Sequence, residues 1–314
     1  MYGLFREEKI EKRLNGYDLS KKQMKIGIFS HCTIDEISRA SATVETAGGP
    51  ACYCGLTTRA LKFDVELHTK IGLDFGFREY LEKNKIIIPQ NALSQNPTTR
   101  FSLEISGTDR NLYLKSKCDE IEYEKSDADG CIVSPVFDEI SEETLDKIKE
   151  NSEFTLLDPQ GFLRRVDEKN KIFLERTSLD LSRISAIKVD PEEAFSLTGL
   201  TETSAMLALQ KKGAKYILYT NKREITLLAR DRLYYLTIPN IEVGDTTGVG
   251  DIFCATFACT FLKEKDVLWA ICFAVGSAQA ALETKETGLS KIPYQGDIEK
   301  NAAYMYNQVK FKHI

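Results

Sequence analysis

Short apolar runs alternate with segments of helical periodicity along most of this chain, and this alternation restricts its possible folds more than any other feature. Turn residues bound each run, which is typical of a buried strand. The predicted strands are residues 25–30, 65–69, 86–88, 131–134, 154–157, 186–189 and 216–219. The predicted helices are residues 51–61, 75–83, 142–150, 192–197, 251–263, 266–282 and 296–307. This order predicts an α/β fold with a mostly parallel central sheet covered by helices on both faces.

Two polar stretches with an alternating β pattern, residues 33–46 and 98–117, break this rhythm. Ser106-Gly107-Thr108-Asp109 marks a hairpin turn within the second stretch. One face of these strands is too polar for a buried sheet, so we predict a small separate β-sheet from strands at about 33–47 and 97–118. It should project over the C-terminal edge of the central sheet, where ligands bind in open α/β folds. The predicted organisation is a charged N-terminal extension, residues 1–23, and one domain, residues 24–314, that carries the inserted sheet.

The segment 244–253 combines two glycines with two aspartates directly ahead of an apolar helical run. Gly248 and Gly250 allow the backbone to approach a ligand closely, and the free N–H groups of the first helical turn favour an anion. A phosphate in the ground state would repel Asp251, so this carboxylate makes better sense as the base for a hydroxyl that attacks the phosphate. The alternative is an aspartate that only interacts favourably with the helix dipole.

The run Asp245-Thr246-Thr247-Gly248-Val249-Gly250-Asp251 resembles the C-terminal signature of the ribokinase-like, or phosphofructokinase-B type, carbohydrate kinases. The resemblance implies a three-layer αβα fold with a small β-sheet lid, and ATP with Mg²⁺ as the donor. It implies that Asp251 is the catalytic base and that the glycine-flanked backbone of Gly248, Val249 and Gly250 forms the anion hole. The N–H groups of Val249, Gly250 and Asp251 are then expected to bind the transferred phosphoryl group. It also implies that the lid covers the substrate and, as in many members, forms a homodimer contact.

On the acceptor side, the resemblance assigns Asp35 to substrate hydroxyls, because a carboxylate can accept two hydrogen bonds from a vicinal diol. The alternative for Asp35 is a solvated strand residue. Gly48 and Gly49 match paired glycines that lie against the sugar in the family. Tyr53 stands where the family has a sugar-binding asparagine, and this departure weakens the case for ribose.

Residues 48–53, 98–101, 109–114 and 158–164 look like the archaeal and plant branch of the family that contains myo-inositol kinases. Arg100 lies within these matches and is an expected substrate-binding residue. Arginine suits bidentate contact with a phosphate, so Arg164 or Arg165 is expected to hold phosphates or close on the substrate, and a surface ion pair is the alternative.

The donor side is expected around Asp190-Pro191-Glu192-Glu193, which follows a predicted strand and has the pattern of a capping box. The family has Asn-x-x-Glu here and uses it to order Mg²⁺ and the phosphates through water. The resemblance therefore implies that Asp190 and Glu193 act as metal and nucleotide residues, with water between the carboxylates and the ion.

Other nucleotide-binding positions follow from the resemblance as well. They are Thr220, Lys222 (in place of the usual glycine), Thr246, Gly248, Gly250 and Gly276. Gly276 falls in the predicted helix beside the adenine, although small residues on helices more often serve helix packing.

Composition favours a small-molecule substrate as the partner. The formal charge is −5, with 42 basic and 47 acidic residues spread along the chain, so no basic face for nucleic acid or membrane lipid is evident. Eight cysteines without a Cys-x-x-Cys pair indicate free thiols and a cytoplasmic location. No apolar run reaches the roughly 18 residues of a membrane span.

Two alternative functions stay open, and two other enzyme classes are disfavoured. A nucleoside kinase of the same fold is the nearest rival, because Tyr53, Phe101 and Tyr113 are able to stack on a base. A catalytically idle sugar- or nucleotide-binding regulator is the alternative from another class, and the retained Asp251 argues against it. A Rossmann dehydrogenase and a P-loop enzyme are disfavoured, because the glycine-rich motif that each one needs is missing.

Overall fold

The structure is a computed structural model that describes residues 23–39, 42–106, 109–241, 243 and 245–314. The predicted charged extension, apart from Gln23, lies outside the described residues. Gly107 and Thr108 of the predicted hairpin turn and Gly244 of the glycine-rich segment also lie outside them.

The strands are β1 Lys25–Phe29, β2 Thr33–Arg39, β3 Ala42–Gly48, β4 Asp64–His68, β5 Arg100–Ser106, β6 Asp109–Ser116, β7 Gly130–Val133, β8 Thr155–Leu157, β9 Arg164–Val166, β10 Ile172–Leu174, β11 Ala186–Val189, β12 Tyr216–Asn221, β13 Glu224–Ala229, β14 Arg232–Thr237 and β15 Lys310–His313. The helices are α1 Gly49–Ala60, α2 Arg78–Lys83, α3 Glu142–Asn151, α4 Gln160–Leu163, α5 Pro191–Thr198, α6 Glu202–Lys211, α7 Val249–Glu264, α8 Val267–Glu283 and α9 Gln295–Gln308, and 3₁₀ turns lie at Gln90–Ala92 and Gly288–Lys291.

Nine of the described strands form the central sheet, in the order β15-β14-β13-β12-β11-β8-β7-β1-β4. Six neighbouring strands of this sheet are parallel, namely β4, β1, β7, β8, β11 and β12. Strands β13, β14 and β15 extend the sheet in antiparallel fashion. One hydrophobic cluster packs Ile26 and Ile28 of β1 with side chains of α1, α7 and α8. A second cluster packs Phe29 and Val133 with side chains of α3, α5 and α6. The predicted three-layer α/β architecture is confirmed.

A separate four-stranded sheet, called the small sheet below, has the order β3-β2-β5-β6. Strands β2 and β5 pair in parallel, and each also forms an antiparallel pair with its neighbour in sequence. Phe101 of β5 packs on Val136 and Phe137, which follow β7. The small sheet therefore contacts the C-terminal edge of the parallel strands, where the sequence had predicted it.

Two parts of the central layer differ from the sequence prediction. Residues 86–88 form no strand: Ile86 and Ile88 are buried while Ile87 is 75% exposed, and Ile86 packs beside Gly55 of α1. The apolar character of Ile86 and Ile88 therefore reflects packing in the hydrophobic core beside α1. The hairpin β13–β14 and strand β15, which extend the sheet on its antiparallel side, were not predicted.

Within the described part of the chain, no helix combines the length and the hydrophobicity of a membrane span.

Candidate active site

A cavity of about 450 Å³ opens where β8 and β11 end and α7 begins. Charged side chains at the edge of the central sheet form one wall, and apolar side chains of the small sheet form the other. The lining residues are Thr33, Asp35, Ile37, Gly49, Pro50, Tyr53, Phe101, Leu103, Leu112, Val136, Asp158, Gln160, Arg164, Lys188, Asp190, Thr246, Thr247, Gly248, Gly250 and Asp251. The cavity thus brings together residues from distant parts of the sequence.

The glycine-rich loop reaches α7 through Gly248, which has a left-handed backbone with φ of 73°. A Cβ at this position would lie 2.5 Å from atoms of the Tyr53 ring, so both the conformation and the close packing require glycine. The first helical hydrogen bond runs from Ile252 N–H to the Gly248 carbonyl. The N–H groups of Gly250 and Asp251 have no acceptor among the described residues, which makes them available to an anion.

The amide of Val249 is oriented differently from these two. Its N–H donates to the Thr246 carbonyl at 3.4 Å and so closes a turn within the loop. Of the predicted anion-binding backbone, Gly250 and Asp251 therefore offer the available donors, and Gly248 supplies the turn.

Asp251 stands in the first turn of α7 and lines the cavity. Burial, with the nearby charge of Asp158 as the second cause, raises the pKa of this carboxyl to about 7, although Lys188 and Arg164 oppose the shift. A carboxyl that titrates near neutral pH is suited to accept a proton from an alcohol.

Lys188, which was not predicted as a site residue, lies at the centre of the charged wall. Its Nζ is 3.1 Å from Asp158 Oδ2 and 3.4 Å from Glu193 Oε2. Burial opposes the charge, yet both carboxylates raise the pKa of Lys188 well above its usual range. A Cβ at Gly250 would lie 3.8 Å from Lys188 Nζ, so the ammonium faces the anion-binding loop. The sequence held one signal for this residue, since a lysine within the apolar run 186–189 is unusual for a buried strand.

Asp190 and Glu193 form the predicted capping box of α5. Asp190 Oδ1 accepts from Glu193 N–H, Glu193 Oε2 accepts from Asp190 N–H, and both distances are 2.8 Å. Burial first, and then the charges of Asp158 and Asp190, raise the pKa of Glu193 to about 7 even though Lys188 lowers it.

Asp190 fits water-mediated binding of a divalent cation, whereas Glu193 does not line the cavity and its Oε2 is paired with Lys188. Asp190 lines the cavity, and its second carboxylate oxygen makes no hydrogen bond with any described residue. Oxygen donors beside a phosphate site suit Mg²⁺, which retains several of its waters. The described part of the chain holds no group of three or more His, Cys, Asp or Glu side chains arranged around a metal ion.

Asp35 and Arg164 lie on the acceptor side. Asp35 accepts a hydrogen bond from the Thr33 hydroxyl at 2.8 Å, and burial raises the pKa of Asp35 to about 6. Arg164 donates to the Val136 carbonyl and to Gln160, with its guanidinium 5.7 Å from the centre of the Phe101 ring. A partly buried arginine fixed in this way is not the surface ion pair considered from the sequence.

Gly48 and Gly49 shape this side of the cavity through their backbone. A Cβ at Gly48 would overlap the Asp35 carboxylate, and one at Gly49, whose φ is 79°, would lie 2.5 Å from the His31 carbonyl. Gly49 lines the cavity, while Gly48 is outside the lining and packs against the Asp35 carboxylate.

Arg100 does not line the cavity. Its guanidinium pairs with Glu36 at 3.1 Å, with Glu45 at 2.6 Å and with Asp74 at 3.6 Å. The structure thus places Arg100 in an ion-pair network that connects small-sheet strands β2, β3 and β5 with residue 74.

Besides Glu193, three predicted nucleotide residues do not line this cavity. Thr220 and Lys222 are at the end of β12, where Lys222 has a positive φ of 53°. Gly276 is buried between helices, because a Cβ there would lie 2.7 Å from the Ala302 amide of α9. Gly276 therefore serves the packing of α8 against α9.

All eight cysteines, which lie in the described part of the chain, are buried free thiols. Cys54 donates its S–H to the Asp251 carbonyl at 3.3 Å and so packs beneath the start of α7.

The chain is similar in sequence and structure to known kinases. It matches the pfkB family carbohydrate kinase over residues 17–293, whereas no curated protein has a significantly similar sequence. A pyrophosphate-dependent kinase in the ribokinase family is similar in structure, with a TM-score of 0.75 and 21% identity over 87% of this chain and 99% of that chain.

Two further solved structures share the fold. Arabidopsis thaliana ribokinase, complexed with ribose and ATP, has a TM-score of 0.72 and 17% identity over 90% of this chain and 99% of its own. Methanocaldococcus jannaschii nucleoside kinase has a TM-score of 0.67 and 16% identity over 91% of this chain and 100% of its own.

The match covers both sides of the cavity, from Asp35 to the loop that ends at Asp251. The protein is accordingly a phosphotransferase with an alcohol group as acceptor. This chain belongs to the pfkB family of carbohydrate kinases.

Proposed function

We propose that this enzyme transfers the γ-phosphoryl group of MgATP to a hydroxyl group of a sugar or cyclitol, with Asp251 as the general base. One observation carries the proposal: the Asp251 carboxyl, the available amides of the same helical turn and the Lys188 ammonium all border one cavity. A base and an anion site this close together suit in-line attack of an alcohol on a phosphoryl group.

In the proposed step, the acceptor oxygen forms a bond to the γ-phosphorus while its proton passes to Asp251. The bond between this phosphorus and the bridging oxygen breaks, and its electron pair leaves with ADP. The N–H groups of Gly250 and Asp251 and the Lys188 ammonium stabilise charge on the transferring group. Mg²⁺, held through water by Asp190, would neutralise phosphate charge.

The acceptor side supports a polyol. The Asp35 carboxylate is suited to accept hydrogen bonds from two hydroxyls, and the Arg164 guanidinium is suited to donate to others. The apolar face formed by Ile37, Leu103 and Leu112 offers contact to the C–H face of a ring. A cyclitol such as myo-inositol, or a sugar, combines these two surfaces.

A nucleoside is the second candidate acceptor. Phe101 lines the cavity and is available to stack on a base, whereas Tyr53 is 1% exposed with its ring packed against Gly248, and Tyr113 lies outside the lining. The structural similarity to a nucleoside kinase keeps this candidate in the test.

Pyrophosphate is the second candidate donor. Structures described as those of a pyrophosphate-dependent kinase in the ribokinase family, with a pyrophosphate analog and myo-inositol in one of them, are similar to this chain. Thr220, Lys222 and Gly276, which were expected to contact a nucleotide, do not line the cavity. The choice of donor is therefore part of the first experiment.

The test is a panel of acceptors, each assayed with ATP and with pyrophosphate. The acceptors are myo-inositol, ribose, fructose, cytidine, adenosine and inosine, and the readout is the phosphorylated product. We expect the fastest turnover with a cyclitol or sugar. Faster turnover with a nucleoside would replace the acceptor proposal, and binding of sugars or nucleotides without any turnover would favour the regulator.

The base is tested with Asp251→Asn, for which we expect turnover to fall by about three orders of magnitude or more while ligand binding is largely retained. Asp297→Asn is the matched control, because Asp297 also lies in the first turn of a helix but is exposed. If both variants keep normal turnover, Asp251 is only a helix-dipole residue and the mechanism is wrong.

A further inference from the structure

A second buried lysine lies directly behind the glycine-rich loop. Lys291 ends the 3₁₀ turn Gly288–Lys291, and its side chain is 0% exposed. Its Nζ lies 2.8 Å from Asp245 Oδ2 and 3.0 Å from the Asp245 carbonyl oxygen. The Asp245 side chain is 2% exposed, so this ion pair is fully enclosed.

Asp245 connects this ammonium to the loop. Its Oδ1 accepts from Thr247 N–H at 3.0 Å, and its Oδ2 accepts from Gly288 N–H at 3.1 Å. Burial opposes ionisation, but hydrogen bonds from Lys291 and these amides lower the pKa of Asp245 to about 2. One carboxylate thus ties the start of the anion-binding loop to the Lys291 turn.

Tyr53 provides a second connection. The Lys291 ammonium lies 5.9 Å from the centre of the Tyr53 ring, within the range of a cation–π interaction. The ring packs directly against Gly248, leaving no room for a Cβ there. Lys291 therefore interacts with both groups that hold residues 245–248, namely the Asp245 carboxylate and the Tyr53 ring that packs against Gly248.

A buried ion pair is weak evidence for stability, because desolvation of the two charges offsets much of their attraction. Such a pair can instead select one arrangement of the groups around it. Here the selected arrangement is that of residues 245–248, which determines where the amides of Gly250 and Asp251 point. Donors of an anion hole act through such preorganisation.

We propose that Lys291 is a positioning residue for phosphoryl transfer. Its ammonium, acting through Asp245 and Tyr53, holds the loop so that the amides of Gly250 and Asp251 meet the transferring phosphoryl group. The proposal rests on the proposed kinase function and assigns a role to a residue that does not line the substrate cavity.

The first variant is Lys291→Met, which keeps the length of the side chain and removes the charge. We expect kcat to fall by about 100-fold, the effect of losing one oxyanion donor, while the KM for the acceptor changes less than about threefold. Asp35 and Arg164 are separate from the loop, so acceptor binding should persist. A rise in KM as large as the fall in kcat would indicate general distortion of the site and would overturn the proposal.

Lys149→Met is the matched control. Lys149 is also buried, with 3% of its side chain exposed, and it pairs with Asp146 and Asp180 outside the cavity. We expect this variant to lose stability and to keep its kcat. A comparable loss of kcat in Lys149→Met would mean that any buried lysine has this effect, and Lys291 would have no special role.

A second variant covers the case that Lys291→Met does not fold. The double variant Lys291→Met with Asp245→Asn removes both charges together and leaves no unpaired buried ion. If Lys291 acts through Asp245, the double variant should lose about as much kcat as Asp245→Asn alone, within about threefold. A folded double variant with wild-type kcat overturns the proposal.

Chemical rescue gives a further readout. Lys291→Ala leaves a cavity bordered by the oxygen atoms of Asp245, so ethylammonium should raise its kcat by at least about tenfold in a saturable way. Tetramethylammonium, which donates no hydrogen bond, should not do so at equal ionic strength. Lack of rescue in the folded variant would contradict a role for the ammonium itself.

Binding of inorganic phosphate, measured by calorimetry, separates this proposal from the kinase function. We expect its affinity to fall at least about fivefold in Lys291→Met or in the double variant, because the loop amides are misplaced. A wild-type protein without turnover on any donor and acceptor would refute the proposed function alone. The phosphate affinity of the Lys291 variants would then test the positioning role by itself, and an affinity equal to that of the wild-type protein would overturn this role.

Discussion

The ammonium of Lys188 lies 3.1 Å from the carboxylate of Asp158 at the wall of the active-site cavity. The two residues are 30 positions apart in sequence, at the ends of β8 and β11, which pair in parallel. The same ammonium approaches Glu193, and it opposes the rise in the pKa of both Glu193 and Asp251. Lys188 thus links the predicted metal residues to the predicted base.

We expect Lys188→Met to lower kcat by about 100-fold at pH 7, because the transferring phosphoryl group loses a cation. Removal of this charge should also raise the pKa of Asp251 further, so the pH midpoint of activity should move to higher pH. The measurement is kcat over a range of pH. Lys215→Met, at an exposed lysine just before β12, is the control and should change neither value.

Activity should decrease as the pH falls below neutral. The base must be ionised, and burial raises the pKa of Asp251 to about 7. Well below this value, kcat/KM should drop at least about tenfold for each unit of pH, since proton binding removes the base. Initial rates at fixed ionic strength test this. Constant kcat/KM between pH 5 and pH 8 would show that no such group controls the reaction.

Asp251→Asn should stabilise the protein at high pH. The pKa of the Asp251 carboxyl is about 7 in the folded state, whereas its usual value is 3.8. Folding is therefore less favourable when this carboxyl is ionised. This cost is present above pH 7 and disappears as the pH falls towards 4, where both states bind the proton. We expect a Tm gain of about 2 °C or more at pH 8.

The gain in Asp251→Asn should shrink at pH 5, which calorimetry at the two values of pH can measure. Asp297→Asn, at an exposed position, should show no such gain at either pH. A lower Tm for Asp251→Asn at pH 8 would mean that the ionised carboxylate stabilises the fold, contrary to the expected sign.

Gly248→Ala should impair both folding and catalysis. The positive φ of Gly248 disfavours alanine, and the new Cβ would overlap the Tyr53 ring. We expect a loss of about 1–3 kcal/mol of stability, measured by denaturant unfolding, together with a large loss of kcat. Gly296→Ala is the control, because a Cβ at that site meets no atom within 4 Å.

Much of the fold was predictable because local patterns carried it. The parallel strands β1, β4, β7, β8, β11 and β12 are apolar runs, and their positions agree with the prediction. Residues 86–88 were assigned incorrectly, since burial against α1 produces the same apolar pattern as a strand. Strand β15 was missed, because its pairing with β14 joins segments about 80 residues apart.

The loop from Asp245 to Asp251 was recognisable from sequence alone. Glycine with a positive φ, a helix start and a flanking carboxylate are local requirements, so they leave a local pattern of residue types. The fold class and the membership in a kinase family follow from the same kind of information.

Tertiary structure alone decided which side chains share the site. It brought Lys188 to Asp158 and Lys291 to Asp245, and it placed Arg100 and Gly276 away from the cavity. The physical reason is that charge pairing and burial depend on distances across strands and helices that lie far apart in the chain. No spacing of residues in one segment encodes those distances.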